Sequence, residues 1–180
     1  MSCVKFNEPY LTGNEEKYIK DVFDRRQFYG NGHYTQKCQE LISEKISVKN
    51  VLLTDSCTSA LEISALLLRE WGEEQEIILP SYTFTSTAAA FARAGFKIIF
   101  ADIDPQTMMI DFEDVKNKIT AKTVAIVIVH YGGFGANSKL FKELCSDNSI
   151  YLIEDAAQAF GCIEGSLHLG TIGDLGCYSF

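Results

Sequence analysis

The sequence predicts an α/β fold, with a mostly parallel central sheet between helices. Two observations lead to this prediction. Helix-like stretches alternate with short apolar runs along the chain. The apolar runs are nearly continuous Val, Ile and Leu, which is typical of strands covered on both faces. With 180 residues, 47% of them hydrophobic, the chain is long enough for one ordinary globular domain.

The predicted elements follow one another with short connections. Helices are predicted at 15–26, 35–46, 58–71, 85–94, 112–119 and 138–148. Strands are predicted at 51–54, 76–80, 97–103, 123–131 and 150–155. In open sheets of this kind, ligands bind beyond the carboxyl ends of the strands. Unusual polar residues collect at four of these ends, at 54–59, 81–84, 130–135 and 154–158.

Charge and cysteine usage exclude several classes of protein. The net charge of -8 and the absence of a Lys/Arg cluster argue against a nucleic-acid partner. Arg93 and Lys97 interrupt the longest apolar stretch, and the first residues lack the apolar region of a signal peptide, so we expect a cytoplasmic protein without a membrane span. The cysteines fall singly and make no zinc motif, so we expect reduced thiols at positions 3, 38, 57, 145, 162 and 177.

Small hydroxyl and thiol side chains directly precede the third helix, in TDSCTS at 54–59. Free backbone N–H groups and the positive end of the helix dipole favour an anion there, and short side chains let it approach. The same residues could simply cap the helix, which is the commoner role of Ser and Thr. No Walker lysine is present, so a nucleoside triphosphate is not the expected ligand.

The glycine-rich run GGFGANS, at 132–138, imitates a dinucleotide-binding turn. It follows a strand, opens a helix, carries a G-x-G at Gly133 and Gly135, and precedes Asp155 by about 20 residues. However, Ser138 stands where a third glycine or alanine is expected, and the unit comes late in the chain. We therefore favour a plain strand-to-helix turn, and a nicotinamide-dependent oxidoreductase with Asp155 on the ribose stays an alternative.

Aromatic and acidic residues follow two other strands. Tyr82 or Phe84 could stack on a flat cofactor, although aromatics there more often belong to the edge of the core. Glu154 and Asp155 end the last predicted strand, and Gln158 follows closely. A carboxylate at this position could hold a protonated ring nitrogen such as that of pyridoxal phosphate, or it could cap the next turn.

Five segments together resemble one family. They are VLLTDSCTSALEISALLL, PSYTFTSTAAAFARAGFKIIFADID, HYGG, EDAAQAFG and LGTIGDLGCYSF. In this order they resemble the pyridoxal-phosphate-dependent sugar aminotransferases of the DegT/DnrJ/EryC1/StrS family, and EDAAQ with a downstream GCYSF is the most specific part. The resemblance implies a fold-type I large domain, with residues 1–180 forming its N-terminal part and the C-terminal small domain absent.

The resemblance also implies roles for particular residues. Asp155 would pair with the pyridine nitrogen, Gln158 would lie near the ring hydroxyl, and Phe84 would stack on the ring. The phosphate would be held by Cys57, Thr58 and Ser179. These roles agree with an anion at a helix N-terminus and a ring between an aromatic residue and an acid.

The resemblance further implies a reaction and a departure from it. The reaction is transfer of an amino group, from glutamate, to the 4-keto carbon of a dTDP-4-keto-6-deoxyhexose in the biosynthesis of surface-polysaccharide precursors, by a homodimer. In the family, the serine matching Ser179 opens S-F-H-x-x-K, whose lysine binds the cofactor as a Schiff base. The sequence ends at Phe180. We therefore expect that lysine to lie beyond Phe180 and the chain alone to be inactive.

Two further alternatives stay open. Some relatives carry a histidine in place of the lysine and dehydrate the sugar, and the deciding residue is not in this sequence. The chain could also be a remnant or binding piece without catalysis of its own.

Overall fold

The computed structural model describes residues 8–70 and 74–180. Its helices are α1 Glu15–Arg25, α2 His33–Ile46, α3 Cys57–Leu68, α4 Thr85–Arg93, α5 Phe112–Lys118 and α6 Ser138–Asn148. Its strands are β1 Glu76–Pro80, β2 Lys97–Ala101, β3 Thr123–Val129, β4 Tyr151–Asp155, β5 Ile163–Glu164, β6 Leu167–His168 and β7 Leu175–Cys177. Two predictions fall outside the described ranges: the reduced thiol at Cys3 with the absence of a signal peptide, and the helix end at Trp71.

Five strands form one parallel sheet in the order β2-β1-β3-β4-β7, which confirms the predicted fold class. The strands β5 and β6 form a separate antiparallel hairpin. Helices α4, α5 and α6 connect successive strands of the sheet, as parallel pairing requires. From β1 the chain passes first to β2 on one side, and it then returns to β3 on the other side of β1.

Helices cover both faces of the sheet, and the side-chain period of two sorts each strand between them. Ile77 and Leu79 of β1 pack in the core under α3 and α4. Ile78, between them, packs in the second core under α5 and α6. All three side chains are fully buried. This two-sided burial explains why the strands read as continuous apolar runs.

The strand predicted at 51–54 is wrong, because this segment belongs to no strand or helix. Leu52 is 83% exposed and Leu53 is 39% exposed. The apolar pattern is suitable for a strand, but a strand also needs a neighbour for its backbone N–H and C=O groups. No strand among the described residues pairs with this segment.

The strand β7 was not predicted, and its close contact with the loop at Gly170 requires glycine. An ideal Cβ on Gly176 would lie 1.9 Å from the carbonyl oxygen of Gly170. The strand β7 pairs with the end of β4, with Cys177 opposite Asp155, and Ser179 follows two residues later. Within the described ranges, no helix is long and apolar enough to cross a membrane.

Candidate functional site

A cavity of about 290 Å³ opens beyond the carboxyl ends of the parallel strands. It lies where the chain switches from the β2 side of β1 to the β3 side, which is where open α/β sheets bind ligands. Four connections and the start of α3 contribute its walls. The lining residues are Ser56, Cys57, Thr58, Leu61, Thr83, Phe84, Ser86, Val129, His130, Tyr131, Asp155, Ala157, Gln158 and Ser179. All six residues to which the family resemblance assigned cofactor contacts line this one cavity, whereas Tyr82 and Glu154 do not.

The first turn of α3 presents hydrogen-bond donors to the cavity. Ser56 is the N-cap, and its side chain accepts the N–H of Ser59 at 3.1 Å. The N–H groups of Cys57 and Thr58 belong to the first turn, which has no carbonyl acceptors within a helix. The two interpretations of 54–59 are therefore compatible, because Ser56 caps the helix while the next two residues leave their donors for an anion.

Asp155 ends β4 with its carboxylate against the cavity, although its residue is only 5% exposed. Its Oδ2 accepts the hydroxyl of Thr87 at 2.7 Å. Its Oδ1 accepts the N–H of Ala157 at 3.2 Å and lies 3.9 Å from the Sγ of Cys57. No Lys or Arg is paired with this carboxylate among the described salt bridges. A buried carboxylate with this surrounding can accept a hydrogen from a cationic ligand.

The thiol of Cys57 is neutral in this site. Burial raises its pKa to about 12, and the charge of Asp155 and the nearby Cys177 add to the effect. A neutral thiol is a weak donor and a small apolar group. Cys57 therefore contributes its backbone N–H and its small size to the cavity, rather than a nucleophile.

Gln158 is oriented by the turn that follows β3. Its Oε1 accepts the N–H of Gly132 at 2.6 Å. The amide nitrogen therefore points away from Gly132, where it can donate to a ligand. The turn itself needs glycine, because Gly133 has φ of +81° and a Cβ there would lie 2.9 Å from the Sγ of Cys162. The Gly-rich sequence is thus used for a tight turn that fixes Gln158.

Phe84 and Ser179 lie on the open side of the cavity. Phe84 is 73% exposed, although it is a large apolar side chain. Its ring is therefore available for stacking on a flat ligand, whereas the ring of Tyr82 already packs at a tilt against that of Tyr131, with a centroid distance of 4.8 Å. Ser179 is exposed and follows β7, so its hydroxyl can reach a ligand without loss of packing.

Glu154 has a different role from its neighbour, because it faces away from solvent and is 0% exposed. Its Oε2 accepts from His130 Nε2 at 2.7 Å and from the N–H of Gly170 at 2.9 Å. Its Oε1 accepts the N–H groups of Ile172 and Gly173 at 2.7 and 2.6 Å. Burial by itself raises the pKa of Glu154, but the hydrogen bonds from His130, Gly173 and Gly170 outweigh it and the net pKa is lowered.

His130 is held as the second member of this buried pair. Its Nδ1 accepts the N–H of Ala136 at 3.3 Å, so the hydrogen lies on Nε2 and is donated to Glu154. The pair connects the end of β3 to the 170–173 loop that precedes β7. The sequence could not predict that His130 pairs with Glu154 or that the pair is buried, because the two residues are 24 positions apart.

The N-terminus of α6 does not offer a dinucleotide site. The carboxylate of Glu164 accepts the N–H groups of Asn137 and Ser138 at 3.0 and 2.9 Å. A Cβ on Gly135 would lie 2.2 Å from the same carboxylate. The position that a pyrophosphate takes in a dinucleotide fold is thus filled by an anion of the protein itself. The geometry argues against the nicotinamide alternative.

Fold and cavity together define an α/β ligand-binding domain with an anion site at a helix N-terminus and a buried acid for a cationic partner. Residues 9–180 match the DegT/DnrJ/EryC1/StrS aminotransferase family, and the chain belongs to it. The predicted family is therefore confirmed.

Two curated relatives illustrate the similarity. GDP-perosamine synthase from Vibrio cholerae is 33% identical over 175 residues, which are 96% of this chain and 47% of that protein. The dTDP-4-dehydro-2,3,6-trideoxy-D-glucose 4-aminotransferase of Saccharopolyspora spinosa is 30% identical over 179 residues, 98% of this chain and 46% of that protein. The chain thus spans about half the length of the curated relatives it matches.

Two solved structures share the fold. The aminotransferase TlmJ from Streptoalloteichus hindustanus superposes with a TM-score of 0.89 at 31% identity, covering 99% of this chain and 49% of that one. The E. coli GDP-4-keto-6-deoxy-D-mannose-3-dehydratase with bound hydrated PLP gives a TM-score of 0.84 at 26% identity, covering 95% and 45%. The predicted cofactor is thereby confirmed for the family.

Proposed function

We propose that this chain holds pyridoxal 5′-phosphate in the 290 Å³ cavity, as the N-terminal part of the large domain of a nucleotide-sugar aminotransferase. The observation that carries the proposal is Asp155, a buried carboxylate in that cavity with no cationic side chain of the described residues paired to it. Burial without a counter-ion is costly unless a ligand or hydrogen bonds compensate. A protonated pyridine nitrogen is the matching ligand.

The other lining residues fit the remaining groups of this cofactor. The first turn of α3 would bind the phosphate through the N–H groups of Cys57 and Thr58, with Ser179 adding a hydroxyl donor. The amide nitrogen of Gln158 would donate to the ring oxygen, and Phe84 would cover one face of the ring and exclude water from it. The bound cofactor supplies an electron sink, and Asp155 keeps the proton on the ring nitrogen that this chemistry needs.

Replacement of Asp155 tests the proposal. In the protein expressed from its complete gene, Asp155→Asn should abolish amino transfer from glutamate to dTDP-4-keto-6-deoxyglucose, measured by mass spectrometry of the amino-sugar nucleotide. Asp147→Asn is the matched control, because Asp147 is exposed on α6 and should leave turnover unchanged. Normal turnover in Asp155→Asn would contradict the proposal.

We further propose that the 180-residue chain by itself does not transaminate. In the resembled family the lysine that binds the cofactor covalently comes five positions after the serine that matches Ser179. The coding sequence downstream of Phe180 is the first observation to make, and a lysine there supports an aminotransferase. Formation of amino sugar by the purified 180-residue chain would contradict the proposal.

For the substrate we propose dTDP-4-keto-6-deoxyglucose, which makes the enzyme a dTDP-4-amino-4,6-dideoxygalactose transaminase acting in surface-polysaccharide synthesis. FYGNGHYTQKCQELI and SCTSALE, which resemble that enzyme, support this choice, as does the dTDP-linked relative. A GDP-linked 4-keto sugar is the second candidate, because GDP-perosamine synthase is 33% identical. Turnover of the dTDP and GDP substrates, measured side by side, separates the two.

A dehydratase of the same family is the alternative reaction, and the likeness to GDP-4-keto-6-deoxy-D-mannose-3-dehydratase favours keeping it. A histidine at the lysine position downstream would move the proposal to dehydration. Its product would be a keto-deoxy sugar that carries no nitrogen, whereas the aminotransferase product retains the amino group of the donor.

We also propose that the complete protein is a cytoplasmic homodimer. Helix α1 supports this, because none of its residues is buried, and Ile19 and Phe23 are 58% and 63% exposed. Exposed apolar side chains on one helix are typical of an interface. Light scattering after size exclusion should give twice the mass of one chain, and a monomer would contradict the proposal.

A further inference from the structure

Thr87 makes a contact that the family resemblance did not suggest. It lies in α4 and is 0% exposed. Its hydroxyl donates to Oδ2 of Asp155 at 2.7 Å, across 68 positions of sequence. A buried Ser or Thr inside a helix commonly donates to the carbonyl four residues earlier, as Ser64 does to Ala60 at 2.9 Å. Thr87 instead directs its proton out of its own helix and towards the cavity acid.

The direction of the hydrogen bonds around Thr87 follows from counting protons. A hydroxyl has one hydrogen, and that of Thr87 is donated to Asp155. The Oγ1 of Thr83 lies 2.9 Å from the Oγ1 of Thr87 and must therefore be the donor between the two. The result is a directed chain from Thr83 to Thr87 to Asp155. Thr83 lines the cavity, so the chain begins and ends there.

The contacts of Asp155 fix the plane of its carboxylate. Thr87 holds Oδ2 from α4, while the N–H of Ala157 holds Oδ1 from the turn after β4. Rotation of the carboxylate would break at least one of these bonds, since they come from different elements. Two carboxylate oxygens offer about four acceptor positions, so the remaining capacity can accept a ligand N–H without loss of either bond.

We propose that Thr87 is a positioning residue that, supported by Thr83, sets the orientation in which Asp155 receives the cofactor's ring nitrogen. The inference rests on the proposed function, because it assumes that pyridoxal phosphate binds with that nitrogen at Asp155. Without the Thr87 hydroxyl, Oδ2 loses its donor, and the carboxylate can rotate about Oδ1, which still accepts from the N–H of Ala157 and the Sγ of Cys57. The ring nitrogen then meets a misoriented acceptor, while the phosphate site at α3 is unchanged.

The test compares two ligands that differ only at the ring nitrogen. Pyridoxamine 5′-phosphate and its 1-deaza analogue, with carbon in place of that nitrogen, are titrated by equilibrium dialysis into the protein expressed from its complete gene. The amine form is used because it cannot bond covalently to a lysine. The ratio of the two dissociation constants reports the nitrogen contact, and the phosphate contacts cancel.

We expect the wild type to prefer the nitrogen-containing ligand, and Thr87→Val to lose about tenfold of that preference, as for a lost hydrogen bond to a charged group. Thr87→Ser keeps the hydroxyl and should retain most of the preference. An unchanged ratio in Thr87→Val, or equal weakening of both ligands, would overturn the inference and reduce Thr87 to a structural role.

Two controls keep the outcome readable. Thermal unfolding checks that each variant is folded, and if Thr87→Val is not, Thr83→Val serves in its place because Thr83 is only partly buried. Thr83→Val should lower the same ratio by about threefold, and no change would overturn the directed chain. If the wild type binds neither ligand or shows no preference, the proposed function fails first, before any variant is compared.

Discussion

Replacing Glu154 by Gln should destabilise the fold strongly, because its carboxylate organises the end of the sheet from inside the protein. Four donors meet its two oxygens, two on each. In Glu154→Gln one oxygen becomes an NH₂ group. Whichever way the amide is turned, this NH₂ group faces two N–H donors and can accept a hydrogen from neither. The variant also removes the charge that makes these four bonds strong.

The magnitude follows from these contacts. A hydrogen bond to a charged group contributes about 1.5–3 kcal/mol, and the loss of two such bonds gives a decrease in the free energy of unfolding of about 3 kcal/mol or more. The destabilisation should appear first in the 170–173 loop and in β7.

Urea denaturation followed by circular dichroism measures this difference at pH 7. Glu74→Gln is the matched control, because Glu74 forms an exposed pair with Lys122 and its loss should leave the free energy of unfolding nearly unchanged. Hydrogen exchange at the N–H groups of Gly170 and Gly173 locates the loss. A change in Glu154→Gln no larger than that of the control would refute the assigned role of Glu154.

Three further results are expected. The pKa of Glu154 is lowered from its ordinary value of 4.5, so its contribution to stability is full above about pH 4.5 and is lost as the pH falls through the folded-state pKa. The difference in the free energy of unfolding between wild type and Glu154→Gln should therefore shrink below that pH in urea denaturation. A difference that stays constant would contradict this. Gly176→Ala should lower stability by about 3 kcal/mol, because its Cβ would lie 1.9 Å from the backbone oxygen of Gly170, whereas Gly30→Ala, with open space around it, should be nearly neutral in thermal unfolding. Iodoacetamide at pH 7.5 should alkylate the exposed Cys38 well before Cys57, whose pKa is about 12, and mass spectrometry showing Cys57 modified first would contradict the neutral thiol.

The sequence predicted the buried parts of the fold because burial leaves a local pattern. The strand at 76–80 and the helix at 138–148 have the predicted bounds. The segment 51–54 has the same apolar pattern, but its pairing depends on what lies beside it and not on its own residues. The strand β7 was missed for the opposite reason, because it is short and glycine-containing and is defined by its contact with β4.

The residues that line the cavity could be predicted from the sequence, but the hydrogen bonds that hold them could not. Strand ends converge in a parallel sheet, so Asp155, Gln158 and Phe84 could be expected near one another. The contact of Thr87 with Asp155 and that of His130 with Glu154 join residues 68 and 24 positions apart. Such contacts carry no spacing or composition signal. TSTAAA around Thr87 indicated only a helix of small residues.

The most direct test of the central claim is a crystal structure of the protein bound to pyridoxal 5′-phosphate. We expect the phosphate to lie at the first turn of α3, against Cys57 and Thr58, and the ring nitrogen to lie within hydrogen-bonding distance of the Asp155 carboxylate. A cofactor bound elsewhere, or bound with its ring nitrogen away from Asp155, would contradict it.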